Sequence, residues 1–233
     1  MLVSTKAFIL SYLKYGDNSL IIKVFSEKFG FKSLILKSVY NTKSHKVAII
    51  FPLNEVEISF QNKPKIQLNY IQTIQNSNSR YNLSQQITKS TILLFLSEIL
   101  NQCLQNEQTN DELYLFISNQ LDELNESKQY PFFHLKFILN FSYYLGFYPS
   151  IENYTEGSFF HLKEGLFSFE KEYDCLNESE SKLWYNFISN TENFKPLKTE
   201  KYQLLETIFR YYSNHINHFN KPKSLEILKE VFD

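Results

Sequence analysis

A basic segment that contains a tyrosine is the part of this sequence whose residue types and spacing best suit binding chemistry. The candidate side chains are those of Lys32, Lys37, Tyr40, Lys43, His45 and Lys46. Lysines displace the counterions that condense on a nucleic-acid backbone, and a flat aromatic ring can stack on an unpaired base. The segment therefore predicts a DNA-binding site, and the alternative is a solvated loop without a ligand.

The charge distribution along the chain favours a polyanion as the ligand of the first third. Residues 1–80 contain eleven Lys and Arg against four Asp and Glu, a net charge of +7, although the whole 233-residue chain carries −1. A basic module joined to an acidic remainder is typical of a protein that binds a polyanion with one part only. Lysines that only keep a sheet soluble would give the same charge distribution.

Patterns for catalysis or metal binding are weak. The two cysteines, Cys103 and Cys175, lie far apart in sequence and are too few for a four-cysteine zinc site. The glycines form no phosphate-binding motif. His215 and His218 lie about one helical turn apart, but no acidic or thiol ligand accompanies them. We therefore expect no catalytic residues, no metal and no cofactor, and a protein that is not an enzyme.

Five β-rich runs precede a polar break at residues 76–79, which predicts a first domain over residues 1–78. The runs are Lys6–Tyr15, Ser19–Ser26, Lys32–Val39, Glu55–Gln61 and Ile66–Ile74. In the fourth run Val56, Ile58 and Phe60 alternate with polar residues, which is the period of a half-buried strand. Short strands with a longer link after the third predict a five-stranded OB-fold barrel, although an open sheet or an SH3-like barrel would have a similar pattern.

Helical periodicity replaces the strand pattern over residues 79–233, so the expected fold class is α+β, a barrel followed by an all-α domain. Ser84 is a candidate cap for one helix, and Thr109 with Glu112 forms a candidate capping box for the next. A third helix, apolar nearly all round, should begin near Pro131 and end at Gly146. A short β-hairpin is expected at about residues 150–176, before further helices at Glu178–Ser189, Thr199–Phe219 and Ser224–Phe232.

Several local strings, in this order and spacing, resemble the RecO family of bacterial recombination mediators. They are Tyr15–Asp17, Phe29–Gly30, Lys37–Val39, Lys43–Lys46 and Tyr144–Pro149, the last of which is similar to the family's L-G-F-x-P string. The resemblance extends over nearly the whole chain.

The resemblance implies a mediator of DNA repair and homologous recombination. RecO-like proteins bind single- and double-stranded DNA, anneal complementary strands, and with RecR help to load RecA onto DNA coated with the single-stranded DNA-binding protein, SSB. The implied partners are DNA, RecR and the acidic C-terminal tail of SSB, with RecA as an indirect partner. From the residues alone, a non-catalytic protein-interaction adaptor with only incidental DNA contact is the alternative.

The sequence departs from the family pattern in two places. Zinc-binding members carry two C-x₂-C pairs after the L-G-F-x-P string, whereas only Cys175 lies in that region here, and with His161 it cannot complete a zinc site. Aromatic packing is expected to organise the hairpin instead. In the basic segment Ser38 stands where the family has glycine, and Tyr40 and Asn41 stand in place of bases.

Lys136, on the aromatic third helix, is the candidate contact for the SSB tail, because an acidic peptide ending in an aromatic residue needs an apolar pocket with a cationic rim. A lysine whose aliphatic stem simply runs along the core would occupy the same position. The chain has no apolar run long enough to span a membrane. A cytoplasmic, nucleoid-associated location is therefore expected.

Overall fold

The N-terminal part of the chain forms a closed β-barrel. The computed structural model describes residues 1–40, 46–63, 68–77, 80–105, 107–128, 130, 132–191 and 193–232. The barrel strands are β1 (Leu2–Tyr15), β2 (Ser19–Ser26), β3 (Gly30–Lys37), β4 (Glu55–Gln61) and β5 (Asn69–Asn76). They follow one another in the order β1-β2-β3-β5-β4, with β3 and β5 parallel and the other pairs antiparallel. This arrangement is an OB-fold, so the predicted α+β fold with an N-terminal OB barrel is confirmed.

The first strand closes the barrel because it is long enough to pair on both sides. From Leu2 to Phe8 it pairs with β4, and its later residues, as far as Tyr15, pair with β2. The register with β2 shifts at a β-bulge between Ile9 and Ser11. A bulge bends a strand and increases its twist, so the two halves of β1 lie on different parts of the barrel wall.

Alternate strand positions fill the barrel interior. On β4, Val56, Ile58 and Phe60 are buried in the core, as their spacing predicts, whereas Glu57 between them is exposed. The rest of this core is aliphatic and consists of Ala7, Ile9, Leu20, Ile22, Val24, Leu34, Leu36, Val39, Ile50 and Ile71. The intervening residues of each strand therefore form the outer surface of the barrel.

Helices and a short β-hairpin follow the barrel. The helices are α1 (Tyr81–Gln85), α2 (Ile87–Cys103), α3 (Asp111–Glu126), α4 (Phe133–Tyr144), α5 (Glu178–Ser189), α6 (Lys198–His215) and α7 (Leu225–Phe232), and the hairpin strands are β6 (Phe159–His161) and β7 (Leu166–Ser168). The chain divides into two compact units, Met1–Gln129 with Pro222–Asp233, and Tyr130–Lys221. The domain division between residues 78 and 79 stays a proposal. No helix within the described ranges is both long and apolar enough to cross a membrane.

Two helix starts differ from the sequence prediction. The N-cap of α2 is Gln86, which makes no side-chain capping bond, and the predicted cap Ser84 lies within α1. The N-cap of α3 is Asn110, whose Oδ1 accepts the N–H of Leu113 at 2.9 Å. The predicted Thr109 cap is thus wrong by one residue. An asparagine caps as well as a threonine, and local sequence cannot decide between two adjacent candidates.

The second compact unit is organised around aromatic side chains, as the sequence predicts. Phe160 of β6 is fully buried, and its ring lies 4.9 Å from Phe167, 5.8 Å from Trp184 and 5.7 Å from Tyr211, measured between ring centres. Gly146 follows Leu145, the C-cap of α4, and adopts a φ of +82°. A positive φ favours glycine and ends the helix there, again as predicted.

Candidate nucleic-acid interface

One part of the outer surface of the barrel is formed by β1, β2 and β3, and the pairing register determines which side chains share it. Tyr15 on β1 pairs with Ser19 on β2, and Ser19 pairs with Lys37 on β3. Residues that pair across strands project from the same side of a sheet. An aromatic ring and an ammonium group therefore lie in one row.

A second row lies beside the first on the same surface. Leu13 pairs with Ile21, Ile21 with Ile35, and Ile35 with Tyr70 of β5. Leu13 is 68% exposed and Tyr70 is 44% exposed. The Nζ of Lys37 lies 4.1 Å from the centre of the Tyr70 ring, a cation–π contact between the two rows. We call this surface the open face, and it consists of Leu13, Tyr15, Ser19, Ile21, Lys37 and Tyr70, whereas Ile35 in the same row is buried.

Tyr40 and Lys46 lie at the edge of the open face. Tyr40 donates its backbone N–H to Oδ1 of Asn18 at 2.8 Å, and its side chain is exposed. Lys46 begins a 3₁₀ helix (Lys46–Ile49), and its Nζ donates to the backbone carbonyl of Lys37 at 2.9 Å. The structure therefore brings Lys37, Tyr40 and Lys46 together at one end of β3.

Lys43 and His45, the other two members of the predicted site on this segment, lie outside the described residues. The chain on either side of them is fixed to the barrel, because Val39 and Ile50 are both buried in its core. Ser38 turns the chain towards that core with a φ of +57°, in the left-handed region that favours glycine. This backbone conformation explains why glycine suits the position in the family pattern.

Of the other barrel lysines, Lys23 lies on the same side of the sheet as the open face, because it pairs with Ser11 and Ser33 in the row next to Leu13, Ile21 and Ile35. Lys32 pairs with Val24, so it belongs to the face of β3 opposite to that of Lys37. Lys6 and Lys28 line a surface depression that also contains three carboxylates, those of Glu27, Glu55 and Asp111. The cationic surplus of the first third is therefore divided over the barrel, and the open face receives only part of it.

The strands β2 and β3 contain few carboxylates, but one acidic residue lies in the turn beside the open face. From Ser19 to Tyr40 the sequence contains a single acidic residue, Glu27, in the turn between β2 and β3 that is remote from Ser19 and Lys37. Asp17 lies in the turn between Tyr15 and Ser19, at the same end of the strands as Lys37. A phosphate at the open face would therefore meet the Lys37 and Lys46 ammonium groups at an end of the barrel that also carries Asp17.

Sequence reasoning missed Tyr15 and Tyr70 as members of this surface. Both are exposed tyrosines in strand segments, which by itself is no signal for a site. The informative signal is the strand register, which places Tyr15 two strands from Lys37 and Tyr70 under its ammonium group.

Other candidates from the sequence lie in structural settings. His134 is fully buried, and burial with the nearby Lys201 lowers its pKa to about 3. Burial raises the pKa of the Cys103 thiol well above its ordinary value. The ring of His215 stacks on that of Phe147 at 4.7 Å, and its Nε2 lies 3.0 Å from the carbonyl oxygen of Leu162. These contacts give each of the three a packing role.

Lys136 is half-buried on α4, whose surrounding positions are occupied by buried aromatic and aliphatic residues. This setting agrees with a lysine whose stem covers apolar surface. Its contact with an acidic peptide stays a prediction.

The fold and its surface define an OB-fold protein with an attached helical region. Residues 1–80 match the family model "Recombination protein O N terminal", and residues 84–226 match "Recombination protein O C terminal". The chain belongs to the RecO family of DNA repair proteins.

Curated relatives support the same assignment over the full length of the chain. The chain is 37% identical to the DNA repair protein RecO of Flavobacterium psychrophilum over 240 residues, and 34% identical to that of Flavobacterium johnsoniae over 237 residues. It is 26% identical to that of Porphyromonas gingivalis over 250 residues. Each alignment covers 100% of both chains. The suspected resemblance to the RecO family is thereby confirmed.

Proposed function

We propose that this protein is a non-catalytic mediator of DNA repair and homologous recombination that holds DNA on the open face. The observation that carries the proposal is the cation–π pair of Lys37 and Tyr70, flanked by Tyr15 and by the Tyr40 and Lys46 edge. Ammonium groups beside exposed rings are the two elements that single-stranded DNA binding requires. Lys43 and His45 are included in the proposed site because both ends of their segment are held near it.

Binding of a strand would rearrange the Lys37–Tyr70 pair at little expense in free energy. A cation–π contact at an exposed site is worth about 0.5–1 kcal/mol, less than a base stacked on an aromatic ring, at about 1–3 kcal/mol. Movement of the Lys37 ammonium group from the ring to a phosphate therefore gains an electrostatic contact and frees one ring face for a base. Lys37 and Tyr70 would act together, one on the backbone and one on the base.

Annealing follows from the same mode of contact. Lysines reduce the repulsion between two phosphate backbones, and rings engage the faces of bases. Neither contact occupies the hydrogen-bonding edges by which bases pair. A strand held in this way stays available to its complement, and double-stranded DNA can bind through its phosphates alone.

The wider role that we propose includes proteins. With RecR the chain would help load RecA onto single-stranded DNA coated by SSB, and Lys136 is the proposed contact for the acidic SSB tail. This role requires a cytoplasmic, nucleoid-associated protein. The support for it is membership of the RecO family together with a helical region that is available as a scaffold.

The experiment compares two double variants of the full chain that remove the same charge from different places. Lys37→Ala with Lys46→Ala removes the open-face cations, and Lys6→Ala with Lys28→Ala removes two lysines that lie among carboxylates. Binding of a fluorescent single-stranded oligonucleotide is measured by anisotropy over a series of salt concentrations. The plot of log K against log salt has a negative slope, and the open-face variant should make it less steep by about 1.4, at about 0.7 for each lost phosphate contact.

The control variant should leave that slope within about 0.3 of the parent value. Adding Lys43→Ala to the open-face variant should make the slope still less steep. Equal effects of the two double variants would show that net charge rather than the open face governs binding. No binding by the parent protein near physiological salt would favour the protein-interaction adaptor.

A further inference from the structure

The β-hairpin of the second compact unit holds three groups that can ligate a metal and that the DNA-binding proposal does not use. They are His161 at the end of β6, Glu164 in the turn to β7, and Glu172 after β7. The Nδ1 of His161 lies 3.7 Å from a carboxylate oxygen of Glu172 and 3.9 Å from one of Glu164. All three ligand atoms lie within 4.8 Å of one another.

Backbone hydrogen bonds bring these three groups together. The N–H of Gly165 donates to the carbonyl of His161 at 2.8 Å, which returns the turn carrying Glu164 to the end of β6. His161 also forms an isolated antiparallel bridge with Cys175, which holds the segment containing Glu172 against β6. The convergence is therefore a property of the hairpin fold and of the segment that crosses it.

The hydrogen bond on the far side of the His161 ring fixes what its Nδ1 presents to the carboxylates. Nε2 lies 2.9 Å from the backbone carbonyl oxygen of Glu170 and 3.2 Å from Oγ of Ser168. Because the carbonyl can only accept, we assign the ring hydrogen to Nε2. The Nδ1 of a neutral ring then directs a lone pair towards two carboxylates. Three electron-pair donors this close repel one another unless a metal ion lies between them or Nδ1 carries a proton.

We propose that His161, Glu164 and Glu172 form a binding site for a divalent transition metal ion of the zinc type. With bonds of about 2.0–2.2 Å, tetrahedral ligand atoms lie about 3.4 Å apart, so the observed separations need little adjustment. The side chains of Glu164 and Glu172 are 45% and 61% exposed, which leaves them free to make that adjustment. Solvent completes the coordination.

The arrangement around His161 is the one that metal-binding imidazoles adopt. A backbone carbonyl on the second ring nitrogen sets the tautomer and the orientation of the ring, and it makes the ligating nitrogen more basic. The nearly buried ring supplies the nitrogen ligand that favours zinc over magnesium, for which oxygen ligands alone suffice. For the hairpin, the expectation of no metal considered only Cys175 and His161 as ligands, whereas carboxylates supply two of the three ligands proposed at this site.

The metal would act as a structural link. It joins the turn of the hairpin to the segment around Glu172, and both flank Phe160 at the centre of the aromatic core. Because the ion binds the folded arrangement and the unfolded chain lacks it, binding should raise the melting temperature.

The test uses the full chain after treatment with EDTA and dialysis, titrated with zinc chloride by isothermal titration calorimetry. The parent protein should bind one zinc ion per chain and melt at a higher temperature with zinc than without it. Glu164→Gln with Glu172→Gln should weaken binding at least ten-fold and abolish the rise in melting temperature. Magnesium chloride at the same concentration should produce neither effect.

Two controls separate this site from other ligands nearby. Glu152→Gln changes an exposed carboxylate that lies before β6 and outside the cluster, and Cys175→Ser removes the neighbouring thiol. Both should bind zinc as the parent does. Should the double variant lose its far-UV circular dichroism, Glu172→Gln alone gives the same comparison at a more exposed position.

Absence of stoichiometric zinc binding would overturn the proposal and would indicate that a proton on Nδ1 balances the two carboxylates. Binding that the Glu→Gln variants leave unchanged would overturn it as well. Because the readouts are zinc affinity and melting temperature, neither result depends on whether the open face binds DNA.

Discussion

Two faces of the same barrel differ in what lies against them. The covered face carries Phe8 and Phe25, which pair across β1 and β2, and their rings lie 4.7 and 6.3 Å from the ring of Tyr114 on α3. The open face uses later residues of the same first strand, Leu13 and Tyr15, and leaves them exposed. The bulge between Ile9 and Ser11 separates these two stretches of β1.

The two faces also use charge in different ways. On the covered face, Glu55 accepts a hydrogen bond from the Tyr114 hydroxyl at 2.8 Å and lies 3.7 Å from the Arg80 guanidinium, which also donates to Asp122 at 2.7 Å. Burial and the neighbouring Glu55 raise the pKa of Tyr114, so its hydroxyl keeps the proton that it donates. Charges on the covered face hold helices to the barrel, whereas the Lys37 and Lys46 ammonium groups at the open face contact a tyrosine ring and a backbone carbonyl.

The largest expected effect comes from breaking the covered face at Arg80. Arg80→Ala leaves the carboxylate of Glu55 buried without its cation, which should lower the free energy of unfolding by about 3–5 kcal/mol. Urea denaturation of the full chain, followed by circular dichroism, measures this change. Arg210→Ala, which removes a partly exposed partner 3.7 Å from Asp174, should lower it by less than about 1 kcal/mol. Similar losses for the two variants would show that the buried and the partly exposed ion pairs contribute equally to stability.

The next effect concerns the open face and should appear in DNA binding rather than in stability. Tyr70→Ala removes a ring that we propose stacks on a base, so affinity for single-stranded DNA should fall about 5- to 150-fold, corresponding to about 1–3 kcal/mol. Tyr70→Phe keeps the ring and should retain most of the affinity.

Tyr12→Ala is the matched control for Tyr70→Ala. Tyr12 is 50% exposed, close to the 44% of Tyr70, but it pairs with Ile22 and so lies on the opposite side of the sheet. Anisotropy titrations of the variants should therefore separate position from residue type. Equal losses for Tyr12→Ala and Tyr70→Ala would argue against the open face as the binding surface.

The smallest effect is the pH dependence that Asp122 gives to the covered face. The hydrogen bond from Arg80 lowers the pKa of Asp122 in the folded state below that of the unfolded chain. Its stabilising contribution is therefore fully present above the unfolded value, about 3.9, and is lost as the pH falls through the folded value. In thermal melts from pH 7 to pH 2.5, the gap between the parent and Asp122→Asn should narrow below about pH 4. A gap of constant size down to pH 2.5 would rule out this contribution.

Local periodicity allowed much of the fold to be predicted. The alternation of Val56, Ile58 and Phe60 placed β4 at its observed ends, and the turn residues between the first two runs placed β1 and β2 within a few residues. These features depend on residues two to four positions apart in sequence, so they can be predicted without the tertiary contacts. Local sequence could not decide whether Thr109 or Asn110 caps α3, because both residue types are good caps.

The candidate sites could not be predicted in full without the strand register. Lys37, Tyr40 and Lys46 could be named from composition, but Tyr70 joins them through pairing with a strand more than thirty residues away. Lys32, named with equal justification, lies on the other face of β3 because it is an odd number of positions from Lys37. The cluster around His161 was missed because its acidic members become neighbours only when the chain crosses the hairpin.

The sequence alone therefore determined most of the segments that become strands and helices and the excess positive charge of the first third, while it left a closed barrel and an open sheet as alternatives. Only the tertiary structure decided which lysines and rings face the same way, which face of the barrel the helices cover, and which side chains surround His161. The physical reason is that side-chain direction along a strand alternates at every residue. Strand register and the bulge in β1, both set by contacts between distant parts of the chain, thus determine which residues meet.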